Sequence, residues 1–296
     1  MTIKEYINSF TNSLAALDWY DEREIKSMVA YLLKEVAGIE SYKIIVSPEL
    51  DLDDAAVFRL KEVTDKMATG CPMQYALGYE YFCGNKFKVA TGVLIPRPET
   101  EELVRMISEE FESESKVQQP FKVLDICTGS GCIAWSLAAL LHGSKVWGCD
   151  ISEKALEIAQ SQNINGVQPE DISFFKYDVL KGDVGNLLQS LGSQKVDVIV
   201  SNPPYVCEGE REQMRPNVLD FEPGLALFVP DNNPLLFYKK IAELSGKILK
   251  EGGKLYFEVN ERFAKETASV METCGFEQVA VVRDMFGKER MVKGVK

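Results

Sequence analysis

The chain has 296 residues, 46% hydrophobic and 26% charged, the composition of a soluble globular protein of about two domains. Its 33 Lys and Arg stand against 45 Asp and Glu, a net charge of −12, which opposes nonspecific attraction to a phosphate backbone. Seven Cys without a CxxC pair suggest neither a disulfide framework nor a zinc site, a single His (His142) nearly excludes a multi-His metal site or a Ser-His-Asp triad, and no apolar run of membrane-spanning length or basic-then-apolar leader is present. A reduced, cytoplasmic setting is expected.

Residues 1–78 read as a small helical bundle. Ile3, Tyr6, Ile7 and Phe10 recur at helical spacing. Ile25, Met28, Val29, Leu32, Leu33 and Val36 do so again, after the capping-box pair Asp21 and Glu24 and before Gly38. Ala56, Leu60, Val63 and Met67 make a third stripe. No catalytic group stands out in the bundle, so it is expected to recognise a substrate. A hairpin is predicted over 79–89 around a Cys83-Gly84-Asn85 turn. A stiff junction at Pro96 and Pro98 follows, where Glu99 or Thr100 starts a helix carrying Leu103, Val104, Ile107 and Phe111. The domain boundaries predicted are 1–78 for the bundle, 79–97 for a β-hairpin linker and 98–296 for the main domain. The polar stretch 112–120 is predicted to be a loop.

From Lys122 strands and helices alternate. Strands are predicted over 123–126, 145–149, 172–177, 196–201 and 254–259, with helices over 132–141, 153–163, 234–249 and 262–274. A final antiparallel pair is predicted over 278–283 and 290–295. Alternation of this kind implies an α/β fold with a doubly wound, mainly parallel sheet of seven strands and right-handed crossovers.

The most informative stretch is Val196-Asp-Val-Ile-Val-Ser-Asn-Pro-Pro-Tyr205. A short β-branched run reads as a buried strand, and Asn202 falls just past its carboxyl end, where ligands bind in open α/β sheets. Pro203 and Pro204 fix the backbone and present bare carbonyls. The Asn202 side-chain oxygen and the Pro203 carbonyl can together accept both hydrogens of a planar –NH2 group, with Tyr205 packed beside it. A plain Asn-Pro turn is the competing reading, so a second motif is needed.

That motif is Val123-Leu-Asp-Ile-Cys-Thr-Gly-Ser-Gly-Cys132, which ends the first strand and opens a helix. Gly129 and Gly131 allow a tight turn and close approach of a ligand to backbone. The next strand ends in Asp150, about the spacing at which an acid meets ribose hydroxyls. The third ends in Asp178 beside Val179, suited to an adenine edge and face. Asp125 inside the first strand opposes a pyrophosphate and suits a cationic, phosphate-free nucleoside cofactor, S-adenosylmethionine.

Together these residues resemble a class I S-adenosylmethionine-dependent methyltransferase of the amino-methylating Asn-Pro-Pro-Tyr type. Pro72-Met-Gln-Tyr-Ala-Leu-Gly78, Leu94-Ile-Pro-Arg-Pro-Glu-Thr-Glu101, Phe221-Glu-Pro-Gly-Leu-Ala-Leu-Phe228 and Arg283-Asp-Met-Phe-Gly-Lys-Glu-Arg290 are more narrowly similar to the release factor glutamine methyltransferases, so the resemblance spans nearly the whole chain. It implies a Rossmann-like methyltransferase sheet, and methylation at N5 of the glutamine in the Gly-Gly-Gln motif of peptide chain release factors. It also implies catalysis and substrate binding by Asn202, Pro203, Pro204 and Tyr205. The cofactor, which leaves as S-adenosylhomocysteine, would be held by Asp125, Cys127, Thr128, Gly129, Ser130, Gly131, Asp150, Asp178, Val179 and Asn202. In this reading Asp125 either orients the glycine turn or approaches the methionyl amine. No metal, nucleic acid or membrane partner is expected, and the protein is expected to be a monomer. A ribosomal-protein glutamine methyltransferase, an N6-adenine DNA or RNA methyltransferase, and a nonenzymatic binder with a retired site are the rival readings.

Overall fold

A computed structural model describes residues 1–114 and 120–296. It divides into two compact units, Met1–Gly78 with Met214–Phe221, and Tyr79–Gln213 with Glu222–Lys296.

The smaller unit is helical. Thr2 and Asp21 each close a capping box over the helices Ile3–Leu14 and Glu22–Ala37, satisfying amides that a helix start leaves orphaned. Gly38 ends the second helix in the left-handed conformation. Ile3, Tyr6, Phe10, Leu14, Leu32, Leu33, Leu60, Val63 and Met67 are buried, the last three from the helix Asp54–Ala68. A fourth helix, Ser41–Val46, buries none of its residues, and its Tyr42, Ile45 and Val46 are exposed. Arg215 from the later segment pairs with Glu24 at 2.7 Å.

The larger unit begins with a hairpin of Tyr79–Phe82 and Asn85–Lys88. The turn is two residues, not the three predicted. Cys83 and Gly84 both have positive φ, the geometry that matches a right-handed strand twist, so Asn85 is free to pair with Phe82.

The strands of the large sheet are β1 (Lys122–Ile126), β2 (Lys145–Asp150), β3 (Ile172–Lys176), β4 (Val196–Ser201), β5 (Leu249–Glu258), β6 (Glu277–Arg283) and β7 (Glu289–Val295). Their order across the sheet is β6-β7-β5-β4-β1-β2-β3. β4, β1, β2, β3 and β5 run parallel, and β7 is antiparallel to both of its neighbours. This is the doubly wound seven-stranded sheet expected. Successive residues of β1 and β4 point to opposite faces. Leu124 and Ile199 join a core under the helices Val184–Ser190, Leu236–Ile248 and Ala264–Thr273. Val123 and Val198 join a second core with the helices Pro98–Glu114 and Cys132–Leu140.

The elements differ from expectation in a few places. The helix from Pro98 continues to Glu114, so it covers the start of the stretch predicted as a loop, of which residues 115–119 lie outside the described residues. The helix Val184–Ser190, which supplies the crossover between β3 and β4, was not predicted, although Val184, Leu187, Leu188 and Leu191 recur at helical spacing and pack into the core. β5 starts five residues early, at Leu249.

Candidate active site

β1 and β4 are adjacent and parallel, with Ile126 in register with Ser201, so the segments after both strands emerge side by side. Ser201 Oγ donates to the Ile126 carbonyl at 2.6 Å and pins the two ends together. One cavity opens there. Among the residues singled out in the sequence, Cys127, Thr128, Gly129, Ser130, Asp150, Asp178, Val179, Asn202 and Pro204 line it.

The turn after β1 is held from below. Cys127, Gly129 and Gly131 all have positive φ. The Thr128 amide donates to the Cys149 carbonyl at 3.0 Å, and the Gly131 amide to the Thr128 carbonyl at 2.8 Å. A Cβ on Gly131 would lie 3.0 Å from the Ala159 Cβ, so this glycine serves packing between the helices Cys132–Leu140 and Glu153–Gln160 and is not part of the cavity wall. Gly129 does line the cavity, and a Cβ there would meet no protein atom within 4 Å, which leaves its backbone open to a ligand.

Asp150, at the end of β2, accepts from the Gly129 amide through Oδ2 and from the Ser152 amide through Oδ1, both at 2.9 Å. Burial pushes its carboxyl pKa upward, opposed by these amide bonds. Each oxygen keeps a lone pair that a hydroxyl can use. Asp178 is held in the same manner, its Oδ1 accepting from the Leu180 amide at 3.0 Å. Asp125 is wholly buried beneath the turn and does not line the cavity. Its Oδ2 accepts from the Thr128 hydroxyl at 2.5 Å, and the Ala134 amide in the first turn of the following helix also faces the carboxylate. Burial pushes its carboxyl up to about 7, with Asp150 adding in the same direction. Of the two roles expected for Asp125, this geometry fits orienting the turn. The carboxylates Asp125 and Asp150 under and beside an open glycine backbone disfavour a pyrophosphate and suit a nucleoside bearing hydroxyls and positive charge, so the residues present fit S-adenosylmethionine.

Beyond β4, Asn202 reaches the cavity and its Nδ2 donates to Thr100 Oγ1 at 3.3 Å. Thr100 in turn donates to Glu258 Oε2 at 2.6 Å, and the Tyr205 hydroxyl donates to Glu258 Oε1 at 3.1 Å. Tyr205 and Pro203 stand behind the cavity wall, not in it. Burial raises the Glu258 pKa, and the two hydroxyls pull it back. Across the cavity mouth Glu222, itself buried, accepts from Arg97 Nη2 at 2.6 Å and from the Ile95 amide at 3.1 Å.

A family model described as "Methyltransferase small domain" matches residues 102–218. A release factor glutamine methyltransferase of Flavobacterium psychrophilum is 40% identical over 293 residues, covering 99% of each chain. The chain belongs to the release factor glutamine methyltransferase family. A member from Bacteroides thetaiotaomicron is also 40% identical, covering 93% of this chain and 94% of its own. A solved protein-(glutamine-N5) methyltransferase (release factor-specific) from Alicyclobacillus acidocaldarius is 25% identical, with a TM-score of 0.40, covering 71% of this chain and 99% of that one. As a member of this methyltransferase family, the protein is an S-adenosylmethionine-dependent enzyme.

Within this family member, sequence reasoning missed the residues that approach the site from outside the two motifs. Arg97 and Thr100 line the cavity from the proline junction, and Glu258 closes β5. The signal for Glu258 was an acidic residue ending a buried apolar strand. Thr100 was legible only as a helix starter. Among the described residues no group of His, Cys, Asp and Glu could hold a metal ion, and no helix is long and apolar enough to cross a membrane. His142 lies exposed beyond the helix Cys132–Leu140.

Proposed function

We propose that the protein methylates N5 of the glutamine in the Gly-Gly-Gln motif of peptide chain release factors. One observation carries the reading: Asn202 and the glycine turn face one cavity, from two strand ends tied together by Ser201. A planar amide and a methyl donor need that proximity. The names of the relatives at 40% identity support a release factor over other proteins as the source of the glutamine.

In this reading Asn202 Oδ1, on the cavity wall, accepts one hydrogen of the substrate –NH2, and the carbonyl of Pro203, set just behind that wall, is reached by the other only when the amide is seated against Asn202. Holding both hydrogens favours the less delocalised nitrogen geometry that attack requires. Pro204 forms part of the wall, and Tyr205 secures the turn from behind through Glu258. Asp150 accepts from ribose hydroxyls, Asp178 and Val179 meet the adenine, and Gly129 with its neighbours Cys127, Thr128 and Ser130 lets backbone approach. S-adenosylmethionine supplies an electrophilic methyl group. Catalysis by the chain's own residues then consists of positioning and fixed dipoles, and the proton shed by the nitrogen leaves to water. Residues 1–78 recognise the factor, residues 79–97 connect them to the catalytic part over 98–296, and the enzyme works as a cytoplasmic monomer.

The test is methyl transfer from labelled S-adenosylmethionine to a release factor, to the same factor with its Gly-Gly-Gln glutamine replaced, to ribosomal proteins and to duplex DNA. Label on the intact factor alone is the expected result. Label on both factors alike, or on DNA, would overturn the reading.

A further inference from the structure

A carboxamide has a donor end and an acceptor end of nearly the same shape, so an Asn can serve a substrate –NH2 only if something fixes which end it presents. Around Asn202 that choice is made by two residues far away in sequence. Glu258 is 2% exposed and sits between two hydroxyls, Thr100 Oγ1 at 2.6 Å and Tyr205 OH at 3.1 Å. Both hydroxyls donate to its carboxyl group, one to each oxygen, so both hydroxyl protons are committed to it. Thr100 Oγ1 is left with lone pairs alone, and these can receive only the Nδ2 end of Asn202, 3.3 Å away. Oδ1 is the end that remains for a ligand in the cavity.

We propose that Thr100 and Glu258 are positioning residues that set the polarity of Asn202, turning its acceptor oxygen toward the substrate amide. The inference rests on the reading that the substrate presents a planar –NH2. Thr100 is the element that converts charge into orientation. A hydroxyl whose proton is claimed by a carboxylate becomes a one-way acceptor for its other neighbour. Tyr205 supplies the second proton, so both ends of the Asn-Pro-Pro-Tyr turn report to the same buried carboxylate. A Thr100 that merely packs the helix Pro98–Glu114 onto the sheet would need its methyl group and not its hydroxyl.

The two roles separate by substitution and by a measurement on the unaltered protein. With the release factor as substrate, T100V is expected to lose kcat by roughly 10- to 100-fold with KM for cofactor and substrate little changed, because the shape is kept and the orientation is lost. T100S, which restores the hydroxyl without the methyl, is expected to recover most of the activity. In the wild-type enzyme, NMR of the Asn202 side-chain amide, identified by its loss in N202D, should show one proton protected from solvent exchange, and T100V should remove that protection. Full activity in T100V, a T100S as poor as T100V, or an unprotected Asn202 amide in the wild type would each overturn the proposal. If the wild-type enzyme labels no release factor, the substrate reading fails by itself, and the Asn202 amide signals still decide the orientation.

Discussion

Gly148 leaves a space that Thr128 fills. Gly148 lies on β2 in register with Asp125, and a Cβ there would stand 2.8 Å from Thr128 Oγ1 and 2.6 Å from Phe174 Cδ1. Thr128 is the residue that links the buried Asp125 to the glycine turn. G148A is therefore expected to destabilise the fold by about 1–3 kcal/mol, the usual cost of overpacking. It should also weaken S-adenosylmethionine binding, because the turn has to move to accommodate the methyl group. Calorimetric titration together with thermal unfolding checks both effects; unchanged affinity would mean that the turn tolerates the shift.

Asp150 uses one oxygen for the Gly129 amide and the other for the Ser152 amide. In D150N one of these amides meets an –NH2 group, and two donors then face each other. The variant should bind cofactor roughly 10- to 100-fold more weakly, the cost of about one hydrogen bond to a charged group. Fluorescence or calorimetric titration with S-adenosylhomocysteine measures it without turnover. A loss smaller than threefold would argue against Asp150 as the ribose acceptor.

Glu222 joins two parts of the cavity wall, since Arg97 and residues 223, 225 and 226 all line it. E222A leaves Arg97 unpaired and the Ile95 amide without its acceptor. A loss of about 1–3 kcal/mol in stability is expected, toward the lower end because Arg97 is a third exposed. Cofactor affinity should fall with it. Chemical denaturation with and without S-adenosylhomocysteine separates the two effects, and a variant as stable as wild type would show that the tie is dispensable.

The Asp125 pKa, raised to about 7 by burial, makes stability depend on pH. The unfolded carboxyl titrates near about 4, so the folded state holds the proton more tightly. The resulting stabilisation is complete below about pH 4 and is lost as pH rises through about 7. Asp150 and Glu258, also raised, act with the same sign. From this group the melting temperature should fall between about pH 4 and pH 7 and level off above that, and D125N, which keeps an acceptor for Thr128 and carries no charge, should flatten that fall. Parallel curves for wild type and D125N would assign the pH dependence to other groups.

How far these sites were legible followed the range of the interactions. That Asn202 and Pro204 reach the cavity wall could be read because prolines restrict backbone locally and the strand before them is apolar. Gly129 and Asp150 could be read because one crossover fixes their spacing. Thr100 and Glu258 could not, since the bond between them spans 158 residues and exists only after β5 has settled beside β4. Gly131 was expected against the ligand and proves to serve Ala159, a partner no local pattern announces. The helix Val184–Ser190 went unpredicted although Asp183 caps it and Val184, Leu187, Leu188 and Leu191 share one face; Gly182, Gly185 and Gly192 around that face lower its helix propensity.

The position of β7 between β5 and β6 orders assembly in time. β6 emerges from the ribosome first, yet its sheet neighbour is the strand made after it. The parallel strands through β5 can find one another as they are synthesised, whereas β6 has nothing to pair with until β7 is inserted. Met291 and Val292 on that late strand are buried, one in each core, so both faces of the sheet wait for the same final strand. A stalled or prematurely ended chain would therefore carry nearly finished turns after β1 and β4, with its last helix and an unpaired strand edge exposed to chaperones and proteases.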